Sequence, residues 1–149
     1  IEVSDRPLIS PWNTTQYRLV GPDYPPDEPP LTTQVVKSAF EVAAGASLPA
    51  GRRTVLTGRS WSGTGPIRRV EVSSDGGRTW IDAPFVGPDL GRFAWRQFAM
   101  PLRMAAGNYV VVSRATDSAG NVQPEQRLEN AHGYSNNSWK DPAVLLTVA

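Results

Sequence analysis

Along residues 67–74, IRRVEVSS, apolar and polar side chains alternate with the two-residue period of a strand, so Val70 and Val72 face one way and Arg69, Glu71 and Ser73 the other. One face should be buried and the other wet. Short β-branched runs of this kind, separated by turn residues, recur at intervals of about ten residues. They predict seven strands: TTQVVKSAF at 32–40, RTVLTGRSWS at 53–62, IRRVEVSS at 67–74, TWIDAPF at 79–85, RFAWRQFAM at 92–100, NYVVVSRATD at 108–117 and AVLLTVA at 143–149. NYVVVSRA is apolar on both parities at its start, which suits a central strand covered on both sides near that end. No window sustains a helical period, and Gly or Pro interrupts most candidates. The expected fold is all-β, an immunoglobulin-like β-sandwich of about seven strands, here without the cysteine pair of antibody domains.

The first 30 residues read differently. They hold half of the 14 prolines, and GPDYPPDEPP has few N–H groups to offer a ladder, so residues 1–30 are expected to be an extended segment leading into a sandwich over 31–149. Trp12, Tyr17 and Tyr24 lie within it. Aromatics in a linker suggest that it rests against a surface.

Composition removes several functions. A chain of 149 residues suits one domain with its own core. A net charge of +1 with the charges dispersed leaves no footprint for nucleic acid, so small or protein partners are expected. Lys37 and Lys140 are the only lysines among 15 basic residues, and the arginine excess favours bidentate contact with carboxylates or oxyanions. The absence of cysteine excludes disulfides, thiolate nucleophiles and Cys-based metal sites. No apolar run reaches the roughly 18 residues of a membrane span. The chain opens on Ile1, with Met only at positions 100 and 104, and is expected to be a piece of a longer protein.

The stretch SSDGGRTW, residues 73–80, fits the Asp-box pattern S-x-D-x-G-x-x-W known from sialidases and other β-propellers. A propeller needs the pattern repeated at a period of about 40–50 residues, and it occurs here once. The stretch is instead expected to be a structural turn. Gly76 and Gly77 take positive φ, the Asp75 carboxylate accepts from turn amides, and Trp80 covers the corner. DSAGN at 117–121 is a second tight turn. His132 is the single histidine, no G-x-S-x-G elbow accompanies it, and GTGPIR lacks the glycines of a phosphate or dinucleotide loop.

The order of elements says more than any one motif. GRSWSGTGPIRRVEVSSDGGRTW, then FAWRQFAMPL, GNYVVVSRATDSAGNVQPE and NAHGYSNNSW, together resemble the C-terminal domain of the sulfite oxidase family of molybdenum enzymes. That domain carries a Trp-Ser-Gly turn, an I-x-R-V-x-V-S strand, a D-G-G-x-x-W hairpin, an A-W-R strand, a D-x-x-x-N-x-Q-P turn and a final N-x-W loop. The resemblance covers residues 31–149. It implies an immunoglobulin-like dimerisation domain that follows a molybdopterin-binding catalytic domain, with that domain and a second copy of the chain as partners in a homodimer. In the family, molybdenum is held by a pterin dithiolene and one Cys thiolate of the preceding domain. By resemblance, then, this chain carries no catalytic residue, metal or cofactor and is not an enzyme alone, whereas the parent is a molybdopterin-dependent oxidoreductase acting on sulfite, another sulfur oxyanion, nitrate or the substrate of an unassigned relative. Residues 1–30 become the tail of the catalytic domain or a strap from it.

The resemblance also singles out the loop NAHGYSNNSW. In sulfite-oxidising relatives the corresponding N-x-x-G loop reaches toward the molybdenum site and places an arginine where this chain has His132, so His132 is a candidate for the substrate rim and a departure from the sulfite pattern. An imidazole titrates near pH 6.5 in water, so it holds an anion only when protonated. Asn130, Asn136 and Asn137 are candidates for orienting the loop or capping its turns. A surface histidine bonded to a loop carbonyl is the structural reading. Trp61, Trp80 and Trp95 are expected in the core or at corners, and Trp139 at an interface. A reading of a different class is a stand-alone adhesion or carbohydrate-binding β-sandwich.

Overall fold

A computed structural model describes residues 3–149. Two compact units emerge: a sandwich of Val35–Arg127 with Asn137–Ala149, and a smaller unit in which the segment ending at Gln34 gathers with Leu128–Asn136.

The sandwich has two sheets. In the first, β1 (Lys37–Phe40), β3 (Arg53–Trp61), β7 (Arg96–Arg103) and β6 (Phe85–Val86) run antiparallel in the order β1-β3-β7-β6. In the second, the order is β2-β9-β8-β4-β5, comprising β2 (Ser47–Leu48), β9 (Val144–Val148), β8 (Gly107–Asp117), β4 (Ile67–Ser73) and β5 (Ile81–Asp82). β2 lies parallel to β9 and the other pairs are antiparallel. Leu56, Val70, Val72, Phe98, Val111 and Leu146 meet between the sheets as the centre of the core. Within the first sheet Gly58 of β3 leaves room for the Phe98 ring of the neighbouring β7, because a Cβ there would overlap that ring and lie 2.5 Å from the Ala39 carbonyl oxygen of β1.

The all-β sandwich agrees with the alternation in the sequence, and its departures have local causes. TWIDAPF is two strands. Ile81–Asp82 pairs with β4 in one sheet and Phe85–Val86 with β7 in the other. Between them the Ala83 N–H donates to Val70 O (2.8 Å), and Pro84, which has no N–H, accepts from Ala99 (3.1 Å). The chain changes sheets at its proline. RFAWRQFAM is displaced, since the strand begins at Arg96 and runs through Pro101 to Arg103. The Ala99 N–H points toward the β6 side, so the nitrogen of Pro101, two residues on, faces that same side where β6 has already ended. The two-residue β2 carries no periodic signal.

In β4 the wet face is not wet. Arg69 is exposed, but Glu71 and Ser73 are as buried as the valines between them. Arg114 covers Glu71 through Nε and Nη2 (2.9 and 3.1 Å), and Arg69 reaches it at 3.0 Å. β8 is central, yet its double burial falls at Val111 to Ser113 while Val110 stays 37% exposed.

A buried polar node sews the edge of the sandwich to its later loop. The Gln123 Oε1 accepts from the Ser38 N–H (2.8 Å) and the Ala115 N–H (3.2 Å), and its Nε2 donates to Ser138 O (3.3 Å). Every polar atom of that amide is matched inside the core, which is what makes its burial tolerable.

In the smaller unit the Pro-rich segment is not uniformly extended. Trp12–Gln16 forms one wide helical turn, closed by the Tyr17 N–H on Trp12 O (3.2 Å). Pro11 starts it from the position before the first helical residue, where a missing N–H costs nothing.

Candidate functional site

The loop that carries His132 is built on Asn130. Its buried side chain accepts from the Val20 N–H (3.1 Å) and the His132 N–H (3.3 Å) at Oδ1, and donates from Nδ2 to Tyr134 O (3.2 Å). The Ala131 N–H donates to Val20 O (2.7 Å) and the Gly133 N–H to Asn130 O (2.8 Å). One asparagine thus fixes the backbone on both sides of the histidine. The His132 imidazole is exposed and stacks on Tyr134 (centroids 5.7 Å apart, 22° between planes). Tyr134 in turn packs on Tyr17 (5.3 Å) and donates its hydroxyl to Gln16 O (2.9 Å). The loop holds the imidazole against an aromatic backing of Tyr134 and Tyr17. Asn130 and His132 are brought together, with Asn136 closing the same unit; Asn137 begins the return of the chain to the sandwich.

The Asp75 turn is a different construction. Its Oδ1 accepts from the Ser73 hydroxyl (2.6 Å) and from the N–H groups of Arg78 (3.0 Å) and Thr79 (2.9 Å), and its Oδ2 from the Thr79 hydroxyl (2.7 Å). The Ser73 and Thr79 hydroxyls, with the Thr79 amide, hold the carboxyl well below the usual carboxylate range. Gly76 and Gly77 both have positive φ (74° and 93°), and the Gly76 N–H caps Val110 O (2.9 Å). Four local donors hold this carboxylate in the turn, three of them on Oδ1, which is the structural use expected of it. Trp80 stands edge-on to Trp139 (5.2 Å, 81°) with the Arg114 guanidinium 4.2 Å above its ring, so turn, tryptophans and Glu71 roof the outer face of β4 and β8.

Two tryptophan expectations are corrected here. Trp139 is buried at 8% exposure, because its ring fills the space that a side chain at Gly77 would take, whereas Trp95 is 55% exposed and stacks on Trp61 (5.4 Å, 28°). In DSAGN, the carboxyl of Asp117 is pushed up by burial. Donation from Thr64, Asn121 and Ser62 outweighs that and holds it well below the usual range.

Neither construction offers chemistry for a metal. The chain has no cysteine, and among the described residues no three His, Cys, Asp or Glu side chains gather. The residues present therefore do not fit a molybdenum centre. Also among the described residues, no helix is long and apolar enough to cross a membrane.

Comparison with known proteins agrees with the order of motifs. The Mo-co oxidoreductase dimerisation domain matches residues 34–145. Sulfite oxidase of Gallus gallus is 35% identical over 136 residues, covering 86% of this chain and 28% of that protein. An NADH nitrate reductase of Solanum lycopersicum is 35% identical over 97 residues, covering 59% of this chain and 10% of that protein. Among solved structures, the sulfane dehydrogenase SoxCD of Paracoccus pantotrophus superposes with a TM-score of 0.74 at 27% identity, covering 94% of this chain and 39% of that one. The chain thus spans little more than a quarter of the sulfite oxidase it matches. The stand-alone adhesion reading gives way to these matches. This chain belongs to the family of Mo-co oxidoreductase dimerisation domains, the dimerisation domain of sulfite-oxidase-like proteins.

Proposed function

We propose that this domain assembles a homodimer of a sulfite-oxidase-like molybdenum oxidoreductase and lends its active site a rim, while the molybdopterin and its cysteine ligand belong to a domain preceding the Pro-rich strap of residues 1–30. The observation that carries this reading is the pairing of a dimerisation-domain match with a chain that has no thiolate and, among its described residues, no ligand cluster. The chemistry of the parent is accordingly assigned to its other domain. When bound there, the molybdenum cofactor supplies oxidation of the substrate. This chain contributes position and charge.

The rim role rests on the loop of Asn130 and His132, with Asn136 and Asn137 in support. Asn130 fixes the backbone, Tyr134 backs the ring, and His132 presents an imidazole to an oxyanion substrate where sulfite-oxidising relatives use arginine. In the full-length enzyme assayed at one fixed pH, His132→Ala is expected to raise the KM for sulfite by about 10- to 100-fold, the value of one charge-assisted hydrogen bond, while His132→Arg, which keeps a donor at the position, keeps KM close to the wild-type value. If His132→Ala also keeps the wild-type KM, the loop is structural and the rim assignment fails.

A further inference from the structure

Within the smaller unit, the Pro-rich segment is tied to the loop of His132 at two levels, one in the backbone and one in the rings. In the backbone, the Val20 N–H donates to Asn130 Oδ1 (3.1 Å) and the Val20 carbonyl accepts from the Ala131 N–H (2.7 Å). In the rings, His132 lies on Tyr134, Tyr134 on Tyr17 and Tyr17 on Trp12, with centroids 5.7, 5.3 and 6.0 Å apart. All three spacings suit favourable aromatic pairs. The Tyr134 hydroxyl reaches the same stretch, donating to Gln16 O (2.9 Å).

Tyr17 is the anchored member of that row. Its N–H donates to Trp12 O (3.2 Å) and its carbonyl accepts from the Leu31 N–H (2.7 Å). Beside it Arg18 binds the segment to itself, donating from Nη2 to Thr14 O (2.7 Å) and from Nη1 to Glu28 O (2.5 Å). A plain linker needs none of these ties. At the other end of the row, Asn130 fixes the backbone around His132 but leaves the side-chain torsions of the histidine free. Among the described residues the imidazole makes no hydrogen bond, so the Tyr134 face is what orients it.

We infer that Tyr134 and Tyr17 are positioning residues for His132, and that residues 12–20 thereby set where the rim imidazole stands. This rests on the reading of His132 as part of the rim. Asn130 supplies the place of the residue in the loop, and the row of rings supplies the direction of its side chain. The Pro-rich segment is then part of the substrate-binding machinery as well as a connection.

The test is steady-state kinetics with sulfite in the full-length enzyme at one fixed pH. Tyr17→Leu, whose ring meets Tyr134 and lies one ring away from His132, is expected to raise KM by about 3- to 10-fold, the value of one aromatic pair, with kcat unchanged. Tyr17→Phe keeps the ring and should restore KM. On top of His132→Ala, Tyr17→Leu should add nothing, because the side chain it positions is gone. A loop that simply unfolds would lower kcat and add its effect to that of His132→Ala. If His132→Ala raises KM while Tyr17→Leu leaves it at the wild-type value, or the two effects add in full, or Tyr17→Phe fails to restore KM, the positioning role is overturned and the rim stands. If His132→Ala itself leaves KM unchanged, the rim reading fails and takes this role with it.

Discussion

Replacing Gly77 with valine is expected to lower stability by about 2 to 6 kcal/mol, through two costs of roughly 1 to 3 kcal/mol each. The first is conformational, since Gly77 sits at φ 93°, where an L side chain is strained. The second is steric, since a Cβ would enter the Trp139 ring, which is itself wedged edge-on against Trp80. Gly76→Ala separates the two. Gly76 has φ 74°, but its nearest foreign atom would lie 3.8 Å from the new Cβ, so only the conformational cost applies. In urea, the valine variant should lose clearly more midpoint than the alanine variant with no change in slope. Equal losses would mean that the Trp139 contact carries no weight.

Phe98→Ala should be comparably damaging, at about 3 to 5 kcal/mol. Its ring is fully buried, lies under the Cα of Gly58 and meets Phe40 edge-on at 5.5 Å and 67°. Gly58, its partner on the neighbouring strand, has no side chain with which to fill the space that the ring would leave. Phe93→Ala is the matched control. Phe93 is 83% exposed and its loss should stay within about 0.5 kcal/mol, as for ordinary surface positions. A Phe98 variant that unfolds at the wild-type midpoint would place the core elsewhere.

These residues show how far the pattern in the chain reaches. Strict alternation in β4 put Val70 and Val72 in the core correctly, since periodicity of two reports the side on which a strand packs. It failed for Glu71 because its cover is supplied at long range by Arg114 from β8, and for Ser73 because the turn that follows folds back over it. Trp95 and Trp139 exchanged their expected places for the same reason. Side-chain size says that a tryptophan wants cover, and only the fold says which neighbour has room, here the bare Cα of Gly77. TWIDAPF reads as one strand because its proline marks a break without saying that the chain changes sheets there. Gln123 stood in the sequence only as part of the D-x-x-x-N-x-Q-P turn, and its burial with a matched amide follows from partners on distant segments, Ser38 among them. The candidate rim loop had no periodic signal at all. Its residues were legible only through the resemblance, and the brace of Asn130 to Val20 joins positions far apart in the chain.

The reading stands or falls on assembly. Sedimentation equilibrium of the full-length protein, from below to above micromolar concentration, should return twice the polypeptide mass throughout, because an obligate homodimer interface, which buries roughly 2,000 Å² or more, persists on dilution. A single species of one polypeptide mass at micromolar concentration would contradict it.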